Sequence, residues 1–434
     1  MTAYIFERWD ATKVFARRSY EVTFSSRFIR NVSQTFLTRM ALFGMGFVSS
    51  VLITRALGPI GRGTYAAALT LSSICIQMGN LGLHASNIYE VSRDRSRLSK
   101  LLGNSLLVGF GLGTAIVTGA WAFFCFCPPW APVQGYSMTL ALLAVPFGLT
   151  YVLLQHLLLG VEEVRAYNLI ELAMAMLALA LSGTAVWIGW IAVEVFQAVN
   201  LAVLILSFLC SYGRLRRIIE EALEFSWKLF RNNLRYGLNA YLAAIFSFLA
   251  LRFDILMVKN LLGTEQTGYY SLAVSLADYV MYFPIVIGTL LFPKLSAMPG
   301  RAEKWFYAKK AALAVAGIML VLSASAALLA ASAIRLTFGA AFLPAVPAFW
   351  CLLPGVLMIS VNTILMNYFA ASGMPAVTVY SPAIAALLNV IVNLRVIPHY
   401  GIVGAAATST LCYGTMLLLS LLYIRCFEPK EGSA

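Results

Sequence analysis

The chain has 434 residues, of which 61% are hydrophobic and only 11% charged. A soluble domain carries roughly 25% charged residues, so an ordinary cytosolic protein is excluded. The net charge of +13 points to orientation in a membrane rather than to nucleic acid, because the basic residues sit between apolar stretches and form no cluster with interleaved aromatics.

Residues 1–34 are charged and lack an apolar core followed by a small-residue cleavage site, so they read as a cytoplasmic N-terminal segment and not as a secretory signal. Twelve apolar stretches follow, each near the roughly 20 residues that cross a bilayer as a helix: 35–56, 64–84, 101–127, 138–159, 167–188, 192–212, 236–258, 268–292, 311–333, 345–371, 376–397 and 403–424. The predicted fold is all-α and polytopic, with an N-terminal six-helix bundle over 35–212 and a C-terminal one over 236–424. Between them, 213–235 reads as a basic amphipathic linker lying on anionic lipid as an interfacial helix. A cytoplasmic tail occupies 425–434.

Charge supports this count. Of the 31 Lys and Arg residues, 24 fall on alternate connections of one side, from Arg8 through Arg93, Arg165, Arg214 and Arg301 to Lys430. Only Arg55, Arg62, Lys259 and Arg335 belong to the other side, and Arg39, Arg252 and Arg395 lie within spans. A missed or invented helix would scramble the bias from that point on. The positive-inside rule then predicts that both termini are cytoplasmic. The other side has only short connections, so function must lie within the helices or at their lateral openings.

The chain also repeats at an offset of 205 residues: VLITRALGPIGRGTYAAALTL holds Gly58, Gly63 and Tyr65, and ILMVKNLLGTEQTGYYSLAVSL holds Gly263, Gly268 and Tyr270. Six spans per half make the repeat parallel, about an axis along the membrane normal, as in transporters whose halves rock about a central site. The first segment with QMGNLGLHAS, and LRFDILMVKNLLGTEQTGYYSLA running into FPIVIGTLLFPKLS, resemble the Wzx-type polysaccharide and O-antigen flippases of the multidrug/oligosaccharidyl-lipid/polysaccharide superfamily. That resemblance implies two bundles around a V-shaped cavity, alternating access, and an undecaprenyl-pyrophosphate oligosaccharide as substrate, with surrounding membrane lipids as the other partner.

A pyrophosphate cannot cross hydrocarbon unaided, and arginine meets phosphate best through its planar fork of donors. Arg39, Arg252 and Arg395 are therefore the predicted headgroup contacts. Arg55 and Arg62 flank the first far-side loop, where solvation accounts for them as well as substrate does. Asp278 is the most deeply placed acid and is a candidate for coupling to H+ or Na+ or for bracing an arginine. Asp254, two residues after Arg252, points to another helix face and would pair elsewhere. Mid-span amides, notably Asn362 and Asn389 with Asn393, either line a sugar path or bond neighbouring helices. Glu171, His84 and His156 read as solvated near helix ends.

The seven cysteines show no CxxC pair and no histidine at ligand spacing, which favours packing over metal or disulfide roles. No P-loop, HExxH or GxSxG element is present, so neither an enzyme, a cofactor nor ATP-driven pumping is expected. The rival expectations are a cation-coupled multidrug extruder, which would want acids in its cavity, and a membrane polymerase or ligase, which would present a large outer loop.

Overall fold

Inside a bilayer each backbone polar group must be satisfied within its own segment, and the chain meets that demand with helices. The computed structural model describes residues 26–219 and 221–427, so most of the predicted N-terminal segment and of the predicted tail lie outside the described residues. Among the described residues there is no strand. The helices are α1 (Ser26–Asn80), α2 (Leu83–Arg93), α3 (Leu98–Leu107), α4 (Gly113–Phe126), α5 (Gly135–Gly160), α6 (Val164–Trp187), α7 (Val193–Ile218), α8 (Trp227–Leu262), α9 (Thr264–Ala297), α10 (Arg301–Thr337), α11 (Val346–Ala371) and α12 (Val377–Phe427). A π-helical turn, Val108–Leu112, joins α3 to α4 into one membrane-length stretch.

Ten such stretches are long and apolar enough to cross a membrane, and two glycines reconcile them with twelve spans. Gly58 within α1 (φ 65°) and Gly401 within α12 (φ 61°) are not helical. Ile53 and Tyr65 share one cluster with Leu69, although a straight helix would hold Ile53 and Leu69 about 24 Å apart. Likewise Ser381 donates to the Met416 carbonyl at 3.2 Å, across what would be about 52 Å of straight helix. Both helices therefore fold back, as α1a (26–57) with α1b (59–80) and α12a (377–400) with α12b (402–427). Among the described residues the spans number twelve.

The flanks agree with a bilayer. Leu313, Leu320, Val321 and Leu328 of α10 are exposed, an apolar surface suited to acyl chains. Exposed Trp130, Trp187 and Trp190 stand at one end of the bundle and Trp227 at the other, where indole rings prefer the interface. The end holding the Arg93–Lys100 and Arg214–Arg217 connections is called the basic face below, and its opposite the far face.

The 205-residue repeat is written in the backbone. Gly58 and Gly263 share one conformation, with φ 65° and 86° and ψ −176° in both, a left-handed geometry that turns the chain after the first span of each half. Five residues on, a Cβ on Gly63 would stand 1.9 Å from the Thr264 carbonyl oxygen, and one on Gly268 would stand 2.0 Å from that of Pro59. Thr264 and Pro59 are themselves equivalent in the repeat, so this reciprocal contact marks the pseudo-two-fold between α1b and α9.

One expectation fails. Among the described residues of 213–235 no separate interfacial helix forms: residues up to Ile218 complete α7, and those from Trp227 begin α8. Arg216 donates to the carbonyls of Ile219 and Glu221, each at 3.0 Å, and Ser226 caps α8 by accepting from the Leu229 amide. These bonds fasten the connector in a non-helical form.

Gly63→Ala or Gly268→Ala should force α1b and α9 apart, a strain of about 1–3 kcal/mol, and lower the thermal unfolding midpoint of the purified chain. Gly317→Ala, where a Cβ meets nothing within 4 Å, should leave it unchanged. Equal midpoints in all three would show that the reciprocal contact is not tight.

Candidate functional site: a charged seam between the halves

Four spans, α1a, α1b, α8 and α9, carry the contacts between the two halves that bear on function. On one side the Tyr241 hydroxyl of α8 donates to the Met78 carbonyl of α1b at 2.9 Å, and Tyr89 stacks on Tyr236 at 4.4 Å. On the other, Phe43 of α1a meets Tyr279 and Tyr282 of α9 at 5.3 and 4.8 Å, and the Tyr279 hydroxyl donates to the Gly46 carbonyl. Ser275, Tyr279 and Tyr282 thus line one stripe of α9 turned toward the N-terminal half. Helical spacing puts Asp278 on that stripe.

Asp278 accepts from Arg252 of α8 at 2.8 Å, and the two side chains keep 40% and 30% exposure. The pair lies in the C-terminal half and opens on the seam. Arg39 of α1a, one turn from Phe43, pairs with Glu171 of α6 at 3.2 Å and donates to the Tyr167 hydroxyl. Gln155 adds a bond to Glu171 at 3.1 Å. Two ion pairs, one from each half, therefore flank the cluster of aromatic rings around Phe43.

Their depths differ. Counted along the helices from the turns at Gly58 and Gly263, Arg39 lies about 28 Å in, Asp278 about 22 Å and Arg252 about 16 Å. Arg62 is only about 6 Å in, and contrary to its expected solvation it is buried, donating across the halves to Ser275 Oγ at 2.8 Å. The charges thus descend the seam in steps.

Asp254 pairs with no cation. It is buried within the C-terminal half, accepting from the hydroxyls of Tyr270 and Ser409 at 2.6 and 2.8 Å and from the Ile255 amide at 2.8 Å. Asn362 and Asn389 are buried too. Ser420 donates to Asn362, while Asn389 donates to the Ala250 carbonyl and accepts from Asn393. These amides join helices and line no open path in this structure.

Arg395 is not brought to the seam. It sits on α12a beside exposed Leu387, Ile391 and Leu394, on the side away from buried Asn389 and Asn393, so it faces the surroundings of the bundle, within snorkelling reach of the far face. Arg55 donates to the Leu336 carbonyl at the rim of an apolar cleft of about 540 Å³ lined by Phe47, Val51, Leu52 and Val186. On the basic face, Arg97 is occupied by Asp94 and Glu90, and hydrogen bonds from Ser96 hold the Asp94 carboxyl below the usual carboxylate range.

Glu171, expected to be solvated, is instead the partner of Arg39, and its placement on the same span as Tyr167 at helical spacing was the available signal. His84 and His156 are also not simply solvated: both are part-buried, with ring centroids 5.1 Å apart. All seven cysteines are free, and among the described residues no cluster of three or more His, Cys, Asp or Glu is placed to hold a metal ion.

Comparisons with known proteins bear on this seam. The sequence profile described as polysaccharide biosynthesis protein matches residues 28–299. A probable low-salt glycan biosynthesis flippase of Haloferax volcanii is 23% identical over 250 residues, covering 56% of this chain and 53% of that protein. The chain spans about half the length of the curated relatives it matches. In structure it resembles the lipid II flippase MurJ in an inward closed conformation, with a TM-score of 0.73 and 16% identity over 92% of this chain and 87% of that one. An inward-facing multidrug resistance MATE transporter of the MOP superfamily superposes with a TM-score of 0.72 and 13% identity, over 90% and 97% of the two chains. At these identities the likeness shows a shared fold.

The Arg252–Asp278 pair supplies a test of role. Asp278→Asn leaves a half-buried guanidinium without its counter-charge and should destabilise by about 1–3 kcal/mol, below the ~3–5 kcal/mol of a sealed pair. Adding Arg252→Gln should restore most of the unfolding midpoint. If the double variant is no more stable than the single one, the two side chains do not depend on each other.

Proposed function

The chain belongs to the polysaccharide biosynthesis protein family, and on that premise we propose that it flips a lipid-linked oligosaccharide across the bacterial inner membrane, without catalysing a reaction. The observation that carries this reading is the seam itself, where cations at successive depths face the junction of the two halves. A pyrophosphate headgroup needs such a path, because an isolated charge in hydrocarbon is prohibitively costly.

The basic face is cytoplasmic in this proposal, following the positive-inside rule, which puts both termini inside. The headgroup, an undecaprenyl-linked pyrophosphate oligosaccharide, enters between α1a and α9 and displaces Glu171 from Arg39. It then passes to Arg252, while its polyprenyl tail remains in lipid. Each exchange trades one charge-assisted hydrogen bond for another, so the anion is never left bare. Rocking of the halves by alternating access exposes it on the far side. Asp254, buried with three donors and no cation, is the proposed acid for coupling to H+ or Na+, and Asp278 the brace for Arg252.

A drug extruder would place acids where this seam places arginines. The test is translocation of a labelled polyprenyl-pyrophosphate oligosaccharide in proteoliposomes. Since a hydrogen bond to a charged group contributes about 1.5–3 kcal/mol, Arg39→Gln and Arg252→Gln should each slow it by about tenfold to a hundredfold. Arg395→Gln, facing away from the seam, should keep the wild-type rate. Export of organic cations with no movement of the lipid-linked sugar would overturn the proposal.

A further inference from the structure

Arg62 stands where a cation is hard to keep. It is 7% exposed, no acid of the described residues forms an ion pair with it, and its Nε has no hydrogen-bond partner among them. Its one bond is to the neutral Ser275 hydroxyl of the other half. Its backbone lies four residues after Gly58, but its guanidinium reaches inward to Ser275, about 18 Å along α9 from the Gly263 turn. Glu265, in the first turn of α9, is taken by Tyr269 at 2.7 Å.

Packing does not call for this charge. At the 205-residue offset, Thr267 is the counterpart of Arg62 and Thr70 that of Ser275, and both threonines are buried. The same reciprocal junction is therefore built with neutral side chains on one side and with an arginine on the other. Buried charges are retained where something pairs with them, and a guanidinium with an unpartnered donor is a site for an anion.

We infer that Arg62 is a masked anion site within the α1b–α9 junction, closed over by Ser275 in this structure and uncovered when α1b and α9 part, where it takes the phosphate of a lipid-linked pyrophosphate. This rests on the transport reading above for its ligand but not for its existence. In the closed state the Ser275 hydroxyl satisfies one donor only. Once the halves separate, a phosphate offers acceptors to the rest of the fork.

The test is site-specific. Ser275→Cys, in a background carrying Cys125→Ser and Cys127→Ser, is reconstituted in phosphatidylcholine vesicles and labelled with a membrane-impermeant maleimide from the far side. Labelling should proceed and should slow roughly tenfold with inorganic pyrophosphate or farnesyl pyrophosphate, as expected for a charge-assisted contact. The protection should persist in Arg62→Lys and vanish in Arg62→Gln, while Arg62→Gln alone keeps or raises the unfolding midpoint of the wild type. Absence of labelling, equal protection in Arg62→Gln, or protection by phosphatidylglycerol but not by the pyrophosphates would overturn the inference. Labelling needs no translocation, so Arg62-dependent protection in a chain that moves no saccharide would sink the transport reading and leave the anion site standing.

Discussion

Hydrocarbon tolerates no isolated charge, and the arrangement of this bundle follows from how each ionisable group answers that constraint. Arg39 and Arg252 answer it with carboxylates on neighbouring helices of their own half. Asp254 answers it with three hydrogen-bond donors. Arg395 answers it by lying near the end of its span on the outside of the bundle, where a long side chain reaches water. Arg62 alone is sheltered by burial at the junction rather than by a partner of opposite sign. The half-exposed pairs and the buried Arg62 all lie along the line where the halves meet, so the places at which charge is least settled coincide with that junction.

The junction depends on the absence of side chains. Gly63 and Gly268 allow α1b and α9 to approach until backbone meets backbone, and that approach fixes the relation between the bundles at the far face. Close helix contact through small residues suits a membrane, where apolar side chains gain nothing from leaving lipid and packing must supply the association. Because the contact is reciprocal about the pseudo-two-fold, the same local sequence serves both halves. A turn glycine precedes each helix by five residues, so the repeat encodes reversal and contact as one unit.

Much of this was legible in the sequence, for physical reasons that also mark its limits. Hydropathy fixes which segments lie in the bilayer, and the alternation of basic connections checks their number, so twelve spans and the two halves follow without coordinates. Glycines at 58, 63, 263 and 268 declared the repeat. Depth along a helix is also readable, since it depends only on residue count. What a residue faces is not, because that requires knowing the neighbours of a span that is apolar on every side. Arg395 and Arg252 look alike by depth and composition, yet one faces outward and the other opens on the seam. Arg62 looked like a loop residue because the one-residue turn at Gly58 brings it into the helix at once. The 213–235 segment misled through its helical spacing of apolar residues, while Ser226, a ready N-cap three residues before the amide it accepts from, already marked a fresh helix start.

The two ion pairs within the spans each lie inside a single half: Arg39 with Glu171 in the first, Arg252 with Asp278 in the second. Between the halves, the contacts along the seam are aromatic rings, tyrosine hydroxyls on backbone carbonyls, the glycine approaches and the Arg62–Ser275 bond. Separating the bundles therefore breaks neither salt bridge and strands no carboxylate in lipid. A tyrosine or serine hydroxyl that loses its partner there can be rehydrated at a cost of the order of 1 kcal/mol, far below that of exposing a charge. A two-state element can be shifted by a ligand only as far as that ligand's differential affinity for the two states, and a junction whose charged groups, Arg55 and Arg62, bond only neutral partners across it demands less of such a ligand than one held by salt bridges. The strong electrostatics are confined within each rigid half, which leaves the joint between them soft.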